Sequence, residues 1–202
     1  MKNTNRIIFV VTGAISGALL VALSRALPVL LVAGVGPIFI CCALGTAWAL
    51  GMRVSGWRAL LAALLSVPAY LAALGTFAVT ASYAQSHGLP ASSLLSDMKP
   101  DVLLGLIAAV LVASLLLEVL AFLLSKHWSN LAAFGLLAGG MVAVVCSYAV
   151  HAAYVRIAGH PEGLMQILTL FGPLFIIGGA VTSGVIGEQM QKFSNRSVAA
   201  AG

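Results

Sequence analysis

Long apolar runs separated by short polar stretches make up most of this chain. Six of the runs are each long enough to cross the roughly 30 Å of hydrocarbon in a bilayer, which takes about 20 helical residues. We predict spanning helices at about residues 7–24, 29–50, 59–84, 102–125, 131–155 and 166–190. The connections are short except for residues 85–101, and no polar linker divides the chain. The pattern therefore predicts an all-α, polytopic transmembrane bundle that forms a single integral membrane domain over residues 1–202.

The composition supports a membrane environment. Charged residues make up 7% of the chain and hydrophobic residues 61%, and the mean hydropathy is +1.11. An ordinary soluble domain carries about 25% charged residues, so this chain has too few to cover a soluble surface. The net charge of +5 comes from scattered bases without a cluster, which argues against a nucleic-acid partner. The expected partner is the lipid bilayer, and the expected location is a bacterial-type inner (plasma) membrane.

The positions of lysine and arginine predict the orientation. One side of the membrane would carry seven of these residues: Lys2, Arg6, Arg53, Arg58, Lys126, Lys192 and Arg196. The other side would carry three: Arg25, Lys99 and Arg156. Because basic residues are enriched in cytoplasmic loops, both termini should lie in the cytoplasm.

The first span has a second interpretation as a secretory signal peptide cleaved after Ser24. A basic start and small residues near Ser24 fit such a segment. However, its apolar stretch of about 17 residues is longer than a usual signal core, and another span follows at once. We favour an uncleaved helix, since cleavage would leave five spans and an external N-terminus.

Small residues recur at four-residue spacing in the first and last spans, and helices in lipid need such residues to approach closely. The residues are Gly13, Gly17, Gly179, Ser183 and Gly187. We expect these positions to pack helices together inside the bundle, while a docking face for a partner subunit stays open as an alternative. Pro68 lies deep inside the third span, and it should kink the third helix.

Glu118 is a carboxylate within the fourth span, where a charge costs about 2.5–3.5 kcal/mol near the bilayer centre. Ser114, Ala121 and Ser125 fall within about 40° of its helical face, so the side chain should face protein or water. It is either a proton or cation site or a structural group held by hydrogen bonds or an ion pair. Possible inner-surface partners are Arg53, Arg58 and Lys126.

His151 is the second ionisable residue predicted inside a span, near the outer surface. Gly140, Ser147 and Tyr154 fall within about 60° of its face. Histidine can shuttle protons, bind a metal or form ordinary hydrogen bonds, and the last role is favoured here. Because Glu118 and His151 lie near opposite surfaces, we do not expect a catalytic pair.

Enzyme and cofactor motifs are absent from the sequence. There is no metalloprotease, serine hydrolase or phosphate-binding loop signature, and no pair of carboxylates. The cysteines, Cys41, Cys42 and Cys146, all lie in apolar runs without metal-ligand spacing. We therefore expect no catalytic residues, no metal site and no cofactor.

Three functional hypotheses remain. The first is a protein that handles a small solute or ion, with a cavity between helices three to six and Glu118 as an ionisable element. The second is a non-catalytic accessory subunit of a larger membrane complex or a homo-oligomer. The third, an intramembrane enzyme that uses His151 or the histidines of the outer loops, is the least favoured.

The predicted architecture resembles the substrate-binding subunits of energy-coupling-factor importers. The likeness consists of six spans, inward termini and the small-residue spacing of the first helix, at Gly13 and Gly17. It implies that solute binding and docking onto a larger complex can belong to one protein.

Overall fold

The computed structural model describes residues 2–24, 35–52, 54–87, 100–125, 130–159 and 164–199. In these residues the regular secondary structure is entirely helical. The helices are α1 (Lys2–Ser24), α2 (Val35–Ala49), α3 (Gly56–Ser86), α4 (Pro100–Ser125), α5 (Asn130–Ala158) and α6 (Leu164–Ala199). All but α2 are long and apolar enough to cross a membrane. The predicted all-α class is therefore confirmed, and five helices have the length and composition of spans.

The second predicted span, at about residues 29–50, is described only from Val35 onward. α2 contains 15 residues, which extend about 22 Å and fall short of the hydrocarbon thickness. Residues 29–34 lie outside the described part, so the count of six spans stays a prediction. α6 continues to Ala199, beyond the predicted end near residue 190, since a helix need not stop where its apolar stretch stops.

α2 ends in a turn that requires glycine. Gly51 has φ +71°, a left-handed conformation that residues with a Cβ rarely adopt. The Met52 N–H donates to the Ala47 carbonyl at 2.9 Å, and the Gly51 N–H donates to the Trp48 carbonyl at 3.0 Å. This is the Schellman pattern of a helix C-terminus, and it turns the chain directly toward α3.

α1 and α6 pack closely through small residues. A Cβ atom on Gly13 would lie 2.6 Å from the Ser183 Cβ and would collide with the Gly179 carbonyl oxygen. A Cβ atom on Gly179 would in turn collide with the Gly13 carbonyl oxygen. The two backbones are therefore in direct contact, with no space for even a methyl group between them.

The same interface continues on both sides of this contact. Gly17 packs on the backbone of Phe175, and Gly187 holds the aromatic ring of Phe9. Because numbers rise along α1 as they fall along α6, the two helices are antiparallel. We call this interface the seam, and define it by Gly13, Gly17, Gly179, Ser183 and Gly187.

The remaining contacts show the directions in which the other helices run. α4 runs parallel to α6, since Leu106 packs near Leu170 while Leu124 packs in the same cluster as Met190. α5 runs antiparallel to α6, because Gly139 contacts Val181 and the His151 ring contacts Thr169. Neighbouring helices thus alternate in direction along most of the bundle, as short connections predict.

The bundle has two distinct ends. At one end, Arg6 of α1 lies 3.7 Å from Glu188 of α6. At the other end, α5 carries His151 close to the beginning of α6. We call these the Arg6 end and the His151 end. The start of α1 and the later turns of α6 both lie at the Arg6 end.

Candidate functional site

A cavity of about 190 Å³ lies between α2, α3, α4, α5 and α6. Its wall is mostly leucine, phenylalanine, valine, alanine and glycine. Four hydroxyl-bearing residues also line it: Ser66, Tyr70, Ser114 and Thr182. No charged side chain is among the lining residues in the described part of the chain. A half-open, mostly apolar space of this kind suits an uncharged, mainly apolar molecule.

Small side chains on the facing helices leave this space open. They are Ala69 and Ala73 on α3, Ala109 and Ala113 on α4, Gly140 and Ala143 on α5, and Gly178 on α6. Their spacing of three or four residues places each set on one helical face. Larger side chains, including Phe39 and Phe77, form the rest of the wall. The cavity therefore follows from the same residue types that close the seam.

The α3 wall is fixed by contacts of Ser66. Its hydroxyl donates to the Ala63 carbonyl at 2.6 Å, so it is satisfied within its own helix. A Cβ atom on Gly36 of α2 would lie 2.5 Å from the Ser66 carbonyl oxygen, which shows how closely α2 approaches.

Pro68 lies inside α3 with an exposed ring, turned away from the bundle. Because proline has no N–H, α3 lacks one backbone hydrogen bond there, and the kink stays a prediction.

Glu118 has 0% of its surface exposed. Its helical face agrees with this burial, since Ser114, Ala121 and Ser125 on that face are also buried. Ser114 lines the cavity and lies one helical turn, about 6 Å along the axis, from Glu118. The carboxyl group is thus embedded in protein close to one end of the cavity.

The inner-surface partners considered for Glu118 are only partly described. Arg53 and Lys126 lie outside the described residues. Arg58 lies in the first turn of α3 and is partly exposed. A carboxyl group buried this deeply requires hydrogen-bond donors, a positive partner or a proton of its own.

His151 is also buried, with 7% of its surface exposed. Its Nδ1 lies 3.1 Å from the Thr169 hydroxyl oxygen. The Thr169 hydroxyl donates to the Met165 carbonyl at 2.8 Å, so its oxygen accepts from His151. In the neutral tautomer that fits this geometry, Nδ1 donates to Thr169 and Nε2 is an acceptor.

Ser147 lies one turn before His151 and was not singled out as a site from the sequence. It has 0% of its surface exposed. Its hydroxyl has no hydrogen-bond partner among the described residues. An unpaired buried hydroxyl costs about 1–3 kcal/mol, so a native structure rarely leaves one without a reason.

Glu118 and His151 lie far apart. Leu106 and Val144 pack in one cluster and give a common level on α4 and α5. Glu118 lies about 18 Å from this level toward the Arg6 end, and His151 about 10 Å toward the other end. Their separation along the bundle axis is therefore about 28 Å, and the structure does not bring them together.

Two further buried or paired residues escaped the sequence analysis. Glu188 lies 2.8 Å from Lys192 and 3.7 Å from Arg6, and the four-residue spacing to Lys192 was the available signal. Gln189 is buried, and its amide oxygen and nitrogen have no hydrogen-bond partner in the described part of the chain. No three His, Cys, Asp or Glu side chains of the described residues come together as a metal site.

Comparison with known proteins gives no match to a protein-family model, to a curated protein or to a solved structure. Functional inference for this chain therefore rests on its own residues and their geometry.

Proposed function

We propose that this chain is a six-span protein of a bacterial-type inner membrane that binds a small, mostly apolar solute in the cavity between its helices. The cavity of about 190 Å³ between α2 and α6 is the observation that carries the proposal. Both termini are cytoplasmic in this proposal. The distribution of lysine and arginine supports that orientation. The start of α1 and the later part of α6 share the Arg6 end, as an even number of spans requires.

The size and lining of the cavity indicate the class of solute. A dry apolar cavity of about 150 Å³ in another protein holds benzene. A cavity of about 190 Å³ would take a monocyclic compound such as toluene or a slightly larger molecule. The hydroxyl groups of Ser114 and Thr182 allow one or two polar atoms on the solute.

Glu118 is the ionisable element of the proposal. Glu118 lies one helical turn from Ser114, so its ionisable carboxyl group is close to the cavity wall. A change of its charge in a buried position would alter the packing of α4, because a buried charge needs a new partner. Solute occupancy and the protonation of Glu118 would therefore influence each other.

The accessory-subunit alternative loses one of its arguments. The small residues that might have formed a docking face pack against each other in the seam. A partner complex or a second copy would therefore use another face.

The enzyme alternative has little support, since Thr169 is the hydrogen-bond partner that the described residues offer to His151.

The binding of 4-fluorotoluene to the purified chain in lipid nanodiscs tests this proposal. Its ¹⁹F NMR signal should show a protein-bound state that is absent from nanodiscs without protein. Ala73→Leu places three extra carbons on the cavity wall and should abolish the bound signal. The matched variant Ala72→Leu makes the same change on the exposed face of α3 and should preserve it. Equal binding by both variants, or no binding by the wild type, would refute the proposal.

A further inference from the structure

The cavity-lining face of α5 continues past the apolar wall. Leu136, Gly140 and Ala143 line the cavity at spacings of four and three residues. Ser147 and His151 follow at spacings of four, so they extend the same helical face toward the His151 end. Both residues are buried, which agrees with an inward direction.

Along the bundle axis, Ser147 lies near the end of the cavity that is closest to the His151 end. Its neighbour Val144 packs in one cluster with Leu106 and Phe171. Leu106 and Phe171 both line the cavity, and Ala143 is the last α5 residue in its lining, one turn before Ser147. Ser147 therefore lies where the apolar wall of the cavity ends.

Ser147 and His151 offer complementary hydrogen-bonding atoms at this place. Residues four apart on a helix have Cβ atoms about 6 Å from each other, close enough to contact one small group. The Ser147 hydroxyl, without a partner among the described residues, can donate or accept. In the neutral tautomer with the proton on Nδ1 toward Thr169, the Nε2 atom of His151 can accept. A hydroxyl group on a ligand matches this pair, because it donates one hydrogen bond and accepts another.

We propose that Ser147 and His151 form a polar recognition site at the His151 end of the cavity for the hydroxyl group of an uncharged alcohol or phenol. The inference rests on the proposed function, since the apolar part of the ligand would occupy the cavity. It defines the solute as a compact apolar body with a single hydroxyl group. It also explains why a serine is buried there instead of an alanine.

The test compares two probes of nearly equal size, 4-fluorotoluene and 4-fluorobenzyl alcohol. Binding of each to the full chain in nanodiscs is measured by ¹⁹F NMR and corrected for partition into protein-free nanodiscs. The wild type should prefer the alcohol. Ser147→Ala and His151→Phe should each weaken binding of the alcohol by roughly 5-fold, the loss of one hydrogen bond, without weakening 4-fluorotoluene.

Ser66→Ala is the matched control for Ser147→Ala. Ser66 also lines the cavity, but its hydroxyl donates to the Ala63 carbonyl, so its loss should not affect the alcohol preference. If 4-fluorotoluene binds and neither Ser147→Ala nor His151→Phe alters the preference, the recognition site is refuted while the cavity proposal stands. If neither probe binds the wild type, both proposals fail.

Discussion

The seam and the cavity are built from the same kinds of small residue, yet one is closed and the other is open. In the seam, Gly13 and Gly179 face each other's backbone, and a single methyl group would collide with a carbonyl oxygen. Around the cavity, Ala73, Ala113 and Gly178 line a space of about 190 Å³, and nothing lies within 4 Å of where a Cβ on Gly178 would stand. The difference lies in what stands opposite the small residue and not in the residue itself.

This contrast separates structural from functional uses of small residues in a membrane protein. Backbone contact in the seam gives dispersion attraction along the whole α1–α6 pair, which is the main source of helix association in lipid. The open space between α2 and α6 gives up such contacts and so lowers stability. In the proposed function, a ligand in this space would restore the lost packing contacts.

Gly13→Ala should give the largest loss of stability, because the new methyl group meets backbone that has no rotamer to change. We expect a loss of about 3 kcal/mol in the free energy of unfolding, near the upper range for overpacking. Thermal unfolding in mild detergent measures it.

Gly45→Ala is the control for this variant. Gly45 lies in α2 with open space where a Cβ would stand. Alanine has a higher helix propensity than glycine, so this variant should be neutral or slightly more stable. Equal destabilisation by both variants would show that helix propensity, and not contact across the seam, controls stability.

The sequence predicted which residues form the seam better than it predicted which helices the seam joins. Spacing of four residues identifies a face that can approach another helix, and it selected Gly13, Gly17 and Gly179. It does not say which helix lies opposite, because the partner depends on how all the helices assemble. The pairing of α1 with α6 connects the two ends of the chain, and no local pattern reports such a contact.

The cavity was predicted only in outline. Small residues on α3, α4 and α5 are compatible with either close packing or open space, since the result depends on the opposing side chains. Burial of Glu118 followed from its helical face, because a polar stripe on an otherwise apolar helix has one favourable direction. The bond between His151 and Thr169 could not be predicted, since it joins two helices across a connecting segment.

Substitutions of Glu118 measure how much this buried carboxyl group near the cavity contributes to stability. Glu118→Ala removes a fully buried side chain and its hydrogen-bonding atoms, and should cost about 2 kcal/mol. Glu118→Gln keeps the size of the side chain and should cost less than about 1 kcal/mol while fixing the group as uncharged. Thermal unfolding of both variants gives the two values.

Solute binding by the Glu118→Gln variant then shows whether protonation of the Glu118 carboxyl affects binding. In the proposed function, wild-type binding of 4-fluorotoluene changes with pH, and Glu118→Gln removes the part of this change that the Glu118 carboxyl causes. If the pH response is the same in both proteins, Glu118 is a structural group only.

Ala73→Leu should act in the opposite direction to Gly13→Ala, although both enlarge a buried small residue. The added carbons enter open space, and filling a cavity commonly adds about 1 kcal/mol to the free energy of unfolding. Thermal unfolding without a ligand measures the change. A loss of stability comparable to that of Gly13→Ala would mean that the space is not available to a ligand of this size.

Glu188→Gln should give the smallest effect, and it marks the limit of the contrast between the seam and the cavity. Glu188 lies 2.8 Å from Lys192 and 3.7 Å from Arg6, at the Arg6 end of the seam. Both cations are well exposed, so water and salt weaken the two ion pairs, and the variant should lose about 0.5 kcal/mol. Thermal unfolding at low and high salt measures this loss, which should shrink as ionic strength rises. A loss as large as that of Gly13→Ala, shrinking as salt is added, would mean that the Arg6–Glu188 pair contributes as much as the glycine contacts to holding α1 against α6.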